Sequence, residues 1–186
     1  MRNSYRHCRK DSKGQSARIR RLCVMSSKDN ENLASDLAAL GYPGFSHLKA
    51  SPRRAPAEVV LSALQVANLE PRLVEALPWV LSACRDLDWE WLMCEALGND
   101  LQNKLGFLTN VARRLAERSG RVETAKLLWE REAVLERSRL ATEGTLCHES
   151  ITQVERKWLS AKRPKEVEYW RLLTELSPEH LNRFES

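Results

Sequence analysis

The sequence lacks any long apolar run, and no stretch approaches the roughly 18 apolar residues that a membrane-spanning helix requires. Its five cysteines are odd in number and scattered, without a CxxC pair, which is typical of a reducing compartment and not of a disulfide framework. With 186 residues, 42% hydrophobic and 30% charged, the chain has an ordinary globular composition. We therefore expect a soluble, cytoplasmic protein with no membrane partner.

Catalytic and metal-binding motifs are also missing. The sequence has no GxSxG, no HExxH and no phosphate-binding loop, and its four histidines are scattered. Cys147 stands beside His148, but neighbouring helical residues point in different directions and no further ligand is spaced to join them. Cys84 and Cys94, like Cys147, are predicted to be small buried apolar residues. We expect a non-enzymatic chain with no catalytic, cofactor-binding or metal residue and no small-molecule substrate.

The formal net charge of +5 is concentrated at the N-terminus. Residues 1–25 hold eight cations and one anion, whereas residues 26–186 hold 22 cations and 24 anions. The first segment is rich in Ser, Arg and Lys without hydrophobic periodicity, so residues 1–28 are predicted to form a disordered basic tail. Three interpretations stay open: the native start is Met25, the tail is a basic arm for nucleic acid or membrane, or it is a targeting segment.

Strand signals are nearly absent, since there is no alternating run of β-branched residues and no Asn-Gly turn. Apolar residues instead recur at helical spacing between glycine, proline and capping residues. The pattern predicts an all-α fold, a single compact domain of about seven or eight helices over residues 29–186. The helices are predicted at 30–40, 56–66, 71–81 (kinked or divided by Pro78), 89–97, 101–119, 121–143, 154–162 and 164–176.

The two longest predicted helices, 101–119 and 121–143, are separated by Gly120 and indicate a central αα-hairpin. Tryptophan offers a large apolar area, so the tryptophans of the C-terminal half are expected to pack against the central segment, residues 69–107. They are Trp129, Trp158 and Trp170.

Five segments between residues 41 and 184 carry a family resemblance: ASPRRAPAEVVLSAL, LEPRLVEALPWVL, DLDWEWL, DLQNKLGF and YWRLLTELSPEHL. They resemble a family of small helical bacterial antitoxins and regulators encoded beside abortive-infection-type nucleotidyltransferase toxins. The resemblance implies a protein that binds and silences a toxin enzyme, with repression of its own operon as a further implied role. The N-terminus departs from the family's pattern, so the resemblance gives a DNA-binding role little support.

Polar and aromatic residues around one turn between helices are the candidates for the surface that binds this cognate toxin. They are Asp88, Trp91, Asp100, Gln102 and Asn103. The mildly acidic body of the chain would complement the basic nucleotide groove of a nucleotidyltransferase. A structural interpretation also fits, in which Asp88 and Asp100 cap the helices that follow them, Gln102 and Asn103 belong to a first turn, and Trp91 lies in the core.

The alternative function is transcriptional regulation through operator DNA. Its candidate phosphate contacts are Arg18, Arg20, Arg21, Arg53 and Arg54. A pair such as Arg53 and Arg54 is more often simply a solvated linker.

Overall fold

The computed structural model of the chain describes residues 27–48, 54–177 and 181. Over these ranges the chain forms eight α-helices and two very short strands, which confirms the predicted all-α domain. The elements are α1 (Ser27–Ala39), α2 (Pro56–Gln65), α3 (Pro71–Ala83), α4 (Trp89–Gly98), α5 (Gln102–Arg118), α6 (Val122–Glu136), β1 (Gly144–Thr145), α7 (Gln153–Ala161), α8 (Lys165–Tyr169) and β2 (Leu172–Leu173), with a 3₁₀ turn at Pro43–Phe45. The predicted tail lies outside the described residues except for its last two positions, which belong to α1.

Local sequence signals place most helix ends. Pro56 and Pro71 begin α2 and α3, where the missing N–H of proline costs no helical hydrogen bond. At α7, the Glu155 N–H donates to the Thr152 hydroxyl (3.2 Å), and the Thr152 N–H donates to the Glu155 carboxylate (2.7 Å). This reciprocal pair is a capping box. Gly41 follows α1 with a φ of 88°, which glycine adopts without strain, and it stops the helix as predicted.

Two details of the N-terminal helices differ from prediction. α1 begins at Ser27, before the predicted start at Asn30, so Asp29 lies in its first turn and does not cap it. α3 runs from Pro71 to Ala83 with Pro78 inside it, so the proline does not divide the helix. Pro78 is buried among apolar neighbours, and packing of this kind supports a helix that has lost one backbone bond.

The predicted αα-hairpin of α5 and α6 is the centre of the domain. Leu105 and Leu108 of α5 and Leu128 of α6 are fully buried, and α5 also packs against α3. On its polar side, the Arg113 guanidinium donates to the Glu132 carboxylate across the hairpin (2.7 Å). The hairpin therefore joins the N-terminal helices to the C-terminal segment.

Trp170 completes the core against α5. Its side chain is only 1% exposed, and its indole lies against Gly106, where a Cβ atom would overlap three ring carbons. A glycine inside a helix is costly unless packing needs the space, and here the ring fills that space. The prediction that Trp170 packs on the central segment is confirmed.

The same prediction is wrong for Trp129 and Trp158, which are 60% and 48% exposed. α6 packs through Leu128, and its next residue points about 100° away around the helix. No described side chain of α7 is buried, so Trp158 has no core to enter. Periodicity predicted the helices of both tryptophans but not which face each helix buries.

Short backbone hydrogen-bond pairings hold the C-terminal part of the chain in place. β1 pairs with β2 in parallel, with Gly144 opposite Leu172, and the Leu69 N–H donates to the Cys147 carbonyl (2.8 Å). α8 ends at Tyr169, earlier than the predicted 176, because Arg171 turns the chain with a φ of 55° and β2 follows. The prediction of a helix up to residue 176 is wrong, because the local sequence does not indicate this strand pairing.

Candidate functional site

Acidic residues are concentrated around α4. Residues 86–100 contain five carboxylates and neither lysine nor arginine. Four of these carboxylates are exposed and the fifth, Glu95, is partly exposed. Four exposed carboxylates and one exposed tryptophan of this region are called here the α4 acidic surface: Asp86, Asp88, Glu90, Trp91 and Asp100.

Asp88 fixes the start of α4 and the position of Trp91. Its carboxylate accepts a hydrogen bond from the Trp91 N–H (3.0 Å), so Asp88 is an N-cap, as predicted. Trp89 is buried at 6% exposure, whereas Trp91 is 36% exposed, because residues two apart on a helix do not share a face. Trp91 therefore lies at the surface and not in the core, where another protein can reach it.

Asp100 does not cap α5, and that prediction is wrong. Its φ of 59° places it in the left-handed region, where it turns the chain between α4 and α5. The Leu101 N–H donates back to the Ala96 carbonyl (2.8 Å), and the cap position of α5 is Leu101, which has no capping side chain. The exposed carboxylate of Asp100 thus belongs to the α4 acidic surface.

Gln102 and Asn103 do not belong to that surface, because they are 4% and 5% exposed. The Asn103 amide donates to the Leu140 carbonyl (3.1 Å) and accepts from the Leu140 N–H (2.8 Å), and the Gln102 amide donates to the Ser138 carbonyl (3.2 Å). These bonds occupy the backbone just beyond α6, which ends at Glu136 and not at the predicted residue 143. Both amides stabilise the fold and are too deeply buried to contact a partner.

Replacement of Asn103 by leucine is expected to lower the free energy of unfolding by about 2–3 kcal/mol, since it leaves both backbone groups of Leu140 without a partner. Gln102→Leu is the matched control. It removes one bond and a buried amide oxygen that has no partner among the described residues, so we expect a loss below about 1 kcal/mol. Denaturant unfolding measures both, and equal losses would contradict the assignment.

Arg54 is already engaged within the chain. Its guanidinium contacts a carboxylate oxygen of Asp36 through Nε (2.6 Å) and Nη2 (2.5 Å), and Asp36 is only 3% exposed. This ion pair joins α1 to the segment that begins α2, so Arg54 is neither a solvated linker residue nor a free phosphate contact. The other candidates for DNA lie outside the described residues: Arg18, Arg20, Arg21 and Arg53.

An open cleft of about 590 Å³ lies beside Arg54, between the ends of α1 and α3 and the start of α2. This volume is within the range of small-molecule sites. Arg54 is neutralised by Asp36, and the second cation of the lining, Arg85, is followed by Asp86. The cleft has no excess charge with which to select an ionic ligand, and we assign it none.

The two free cysteines among the described residues, Cys84 and Cys147, offer no activated thiol. Burial raises the pKa of the Cys147 thiol to about 11, and burial together with Asp86 raises the pKa of Cys84 to about 11. A thiol that stays protonated near neutral pH is a poor nucleophile. Cys147 is fully buried, as predicted, whereas Cys84 and Cys94 are only partly buried.

Within residues 27–48, 54–177 and 181, no cluster of three or more His, Cys, Asp or Glu side chains is arranged to hold a metal ion. In the same ranges, none of the helices combines the length and apolar content needed to cross a membrane.

Comparison with known proteins returns no match: no protein-family model, no curated protein and no solved structure is similar to this chain. The resemblance to antitoxins therefore stays a prediction.

Glu90 was missed by the sequence reasoning, which treated carboxylates one at a time as caps. The signal that finds it is the run of 18 residues, 86–103, without a cation.

Proposed function

We propose that the chain is a non-enzymatic, partner-binding protein that docks through its α4 acidic surface onto a basic groove of another protein. One observation carries the proposal: an exposed tryptophan, Trp91, stands among exposed carboxylates in a segment that has no cation. Aromatic residues are frequent anchors of protein interfaces, and complementary charge speeds association and selects the partner.

The partner that this chemistry fits is a cognate toxin of the nucleotidyltransferase type, as the family resemblance implies. An enzyme that holds nucleotide phosphates needs a basic groove, and an acidic helix that covers the groove would exclude the nucleotide. Beyond residue 25 the chain has two more anions than cations, so its body does not repel such a groove.

Operator DNA remains the alternative partner, but the described residues favour it less. Arg54 is held by Asp36, and a DNA backbone would be repelled by the α4 acidic surface. A DNA-binding role would therefore depend on arginines outside the described residues.

The test is co-expression with the protein encoded beside this chain, followed by affinity measurement with purified proteins. Glu90→Lys/Trp91→Ala is expected to weaken binding at least about tenfold and to release toxicity, because it removes the anchor and reverses a charge. Binding of the wild-type chain should weaken as salt increases.

The matched control is Glu130→Lys/Trp129→Ala, which alters an exposed Trp–Glu pair on α6 in the same way. This variant should bind like wild type. Equal loss in both variants would contradict docking through α4, and a wild-type chain that neither binds nor neutralises its neighbour would refute the proposal.

A further inference from the structure

α7 is an exposed helix whose apolar side is uncovered. None of its nine residues is buried, and Val154 and Trp158, one turn apart and therefore on one face, are 77% and 48% exposed. Helices this short are marginal in water unless an apolar face packs against something. The capping box of Thr152 and Glu155 fixes the start of α7, but a cap does not cover an apolar face.

The sequence of α7 and the residues that directly follow it is basic. Residues 153–165 hold five cations and one anion, a net charge of +4. The anion, Glu155, is committed to the capping box, and the Lys162 ammonium lies 4.8 Å from the centre of the Trp158 ring. Arg156 and Arg163 both pair with Glu143, whereas Lys157 of α7 and Lys165, the first residue of α8, are exposed and have no ion-pair partner among the described residues.

The chain itself carries a surface of opposite charge, the α4 acidic surface. Residues 86–100 have a net charge of −5, and α4, ten residues long, presents an exposed tryptophan as α7 does. α4 packs on α2 and α5, whereas α7 packs on β2, so the two surfaces belong to different parts of the fold. A molecule that uses its α7 on a neighbour still has its own α4 available.

We propose that α7 docks on the α4 acidic surface of a second copy of this chain, head to tail. Val154 and Trp158 meet Trp91, while Lys157 and Lys165 face Asp86 and Glu90. An interface between two different surfaces leaves one of each unused at the ends, so it builds rings or open chains and not a closed symmetric pair. The inference does not rest on the proposed function. Because both partners would use the α4 acidic surface, a toxin and a second copy of this chain would compete for it.

The test is sedimentation of the full-length chain over a range of protein and salt concentrations. Wild type should associate with concentration and dissociate at high salt. Asp86→Lys/Glu90→Lys, in the α4 acidic surface, and Lys157→Glu/Lys165→Glu, on α7 and at the start of α8, should each weaken self-association at least tenfold. Arg121→Glu/Lys126→Glu, at the exposed residue that precedes α6 and at an exposed position within it, is the control and should sediment like wild type.

Exchange of the charges between the α4 and α7 surfaces is the decisive test of the proposal. An equal mixture of the α4 and α7 variants should associate again, as should the chain that carries all four substitutions, because opposite charges then face each other. Restoration also shows that the variants are folded. A wild type that is monomeric at all concentrations, or a four-substitution chain that stays monomeric, overturns the proposal.

An anionic membrane surface is the other partner that a basic helix with an exposed tryptophan would suit. Binding to vesicles of anionic phospholipid tests it. If wild type binds these vesicles and the α7 variant does not, while self-association is unchanged by the α4 substitutions, α7 belongs to a membrane surface and the proposal is overturned. Absence of vesicle binding together with charge-exchange rescue supports it.

Discussion

Trp170→Ala is expected to lower the free energy of unfolding by about 3–5 kcal/mol, the largest effect of any single change considered for this chain. The side chain is 1% exposed and fills the space over Gly106, so its loss leaves a cavity between α5 and the C-terminal segment. Gly106→Ala should also destabilise, by about 1–3 kcal/mol, because the new methyl group overlaps the ring. Denaturant unfolding followed by circular dichroism measures both.

Combining the two substitutions tests whether the effect of Gly106→Ala on stability changes sign when the Trp170 ring is absent. Once Trp170 is alanine, the three ring carbons that the Gly106→Ala methyl group would overlap are gone, and alanine is a better helix former than glycine by about 1 kcal/mol. Gly106→Ala should therefore destabilise the wild type and stabilise the Trp170→Ala variant. A loss of the same size in both backgrounds would show that Gly106 is needed for some reason other than the ring.

Arg54→Ala is expected to cost about 3 kcal/mol of stability, since it leaves the buried carboxylate of Asp36 without its cation. The value lies at the low end for a broken buried pair because the Arg54 side chain is 30% exposed. One Asp36 oxygen already lacks a hydrogen-bond partner among the described residues, so nothing nearby replaces the lost contact. Thermal and denaturant unfolding report the change.

Arg85→Ala is the matched control, because Arg85 lines the same cleft and is exposed. It should change stability by less than about 0.5 kcal/mol. The double variant Asp36→Ala/Arg54→Ala should recover part of the loss, since no unpaired charge then stays buried. If the double variant is no more stable than Arg54→Ala, the ion pair is not the source of the effect.

Much of the fold is readable from local sequence. Proline at the first turn, aspartate or threonine at a cap and glycine after a helix each act within four residues, so Pro56, Asp88, Thr152 and Gly41 mark true boundaries. The hairpin follows from the same logic, because its apolar spacing and its glycine turn are contiguous in the chain.

The sequence predictions are wrong where contacts between residues far apart in the chain determine the structure. Asn103 stops α6 by binding Leu140, 37 residues away, and Arg54 finds Asp36 at a separation of 18 residues. Neither partner is indicated by the spacing of apolar residues. The exposure of Trp129 depends on which face of α6 the hairpin buries, which is a property of packing and not of the helix alone.

The candidate site was predicted in part for the same reason. Asp88, Trp91 and Asp100 lie at the surface where the turn between helices was expected, whereas Gln102 and Asn103, a few residues further on, have already entered the core. A cluster in sequence spans both environments because one helical turn carries the chain from surface to interior.

The contact between Trp170 and Gly106 also sets the order in which a newly made chain can mature. Gly106 is synthesised 64 residues before Trp170 (170 − 106), so the bare strip of backbone at Gly106 stays uncovered until the segment that carries Trp170 has also been made. Any product truncated before Trp170 keeps that strip open to water and to other nascent chains.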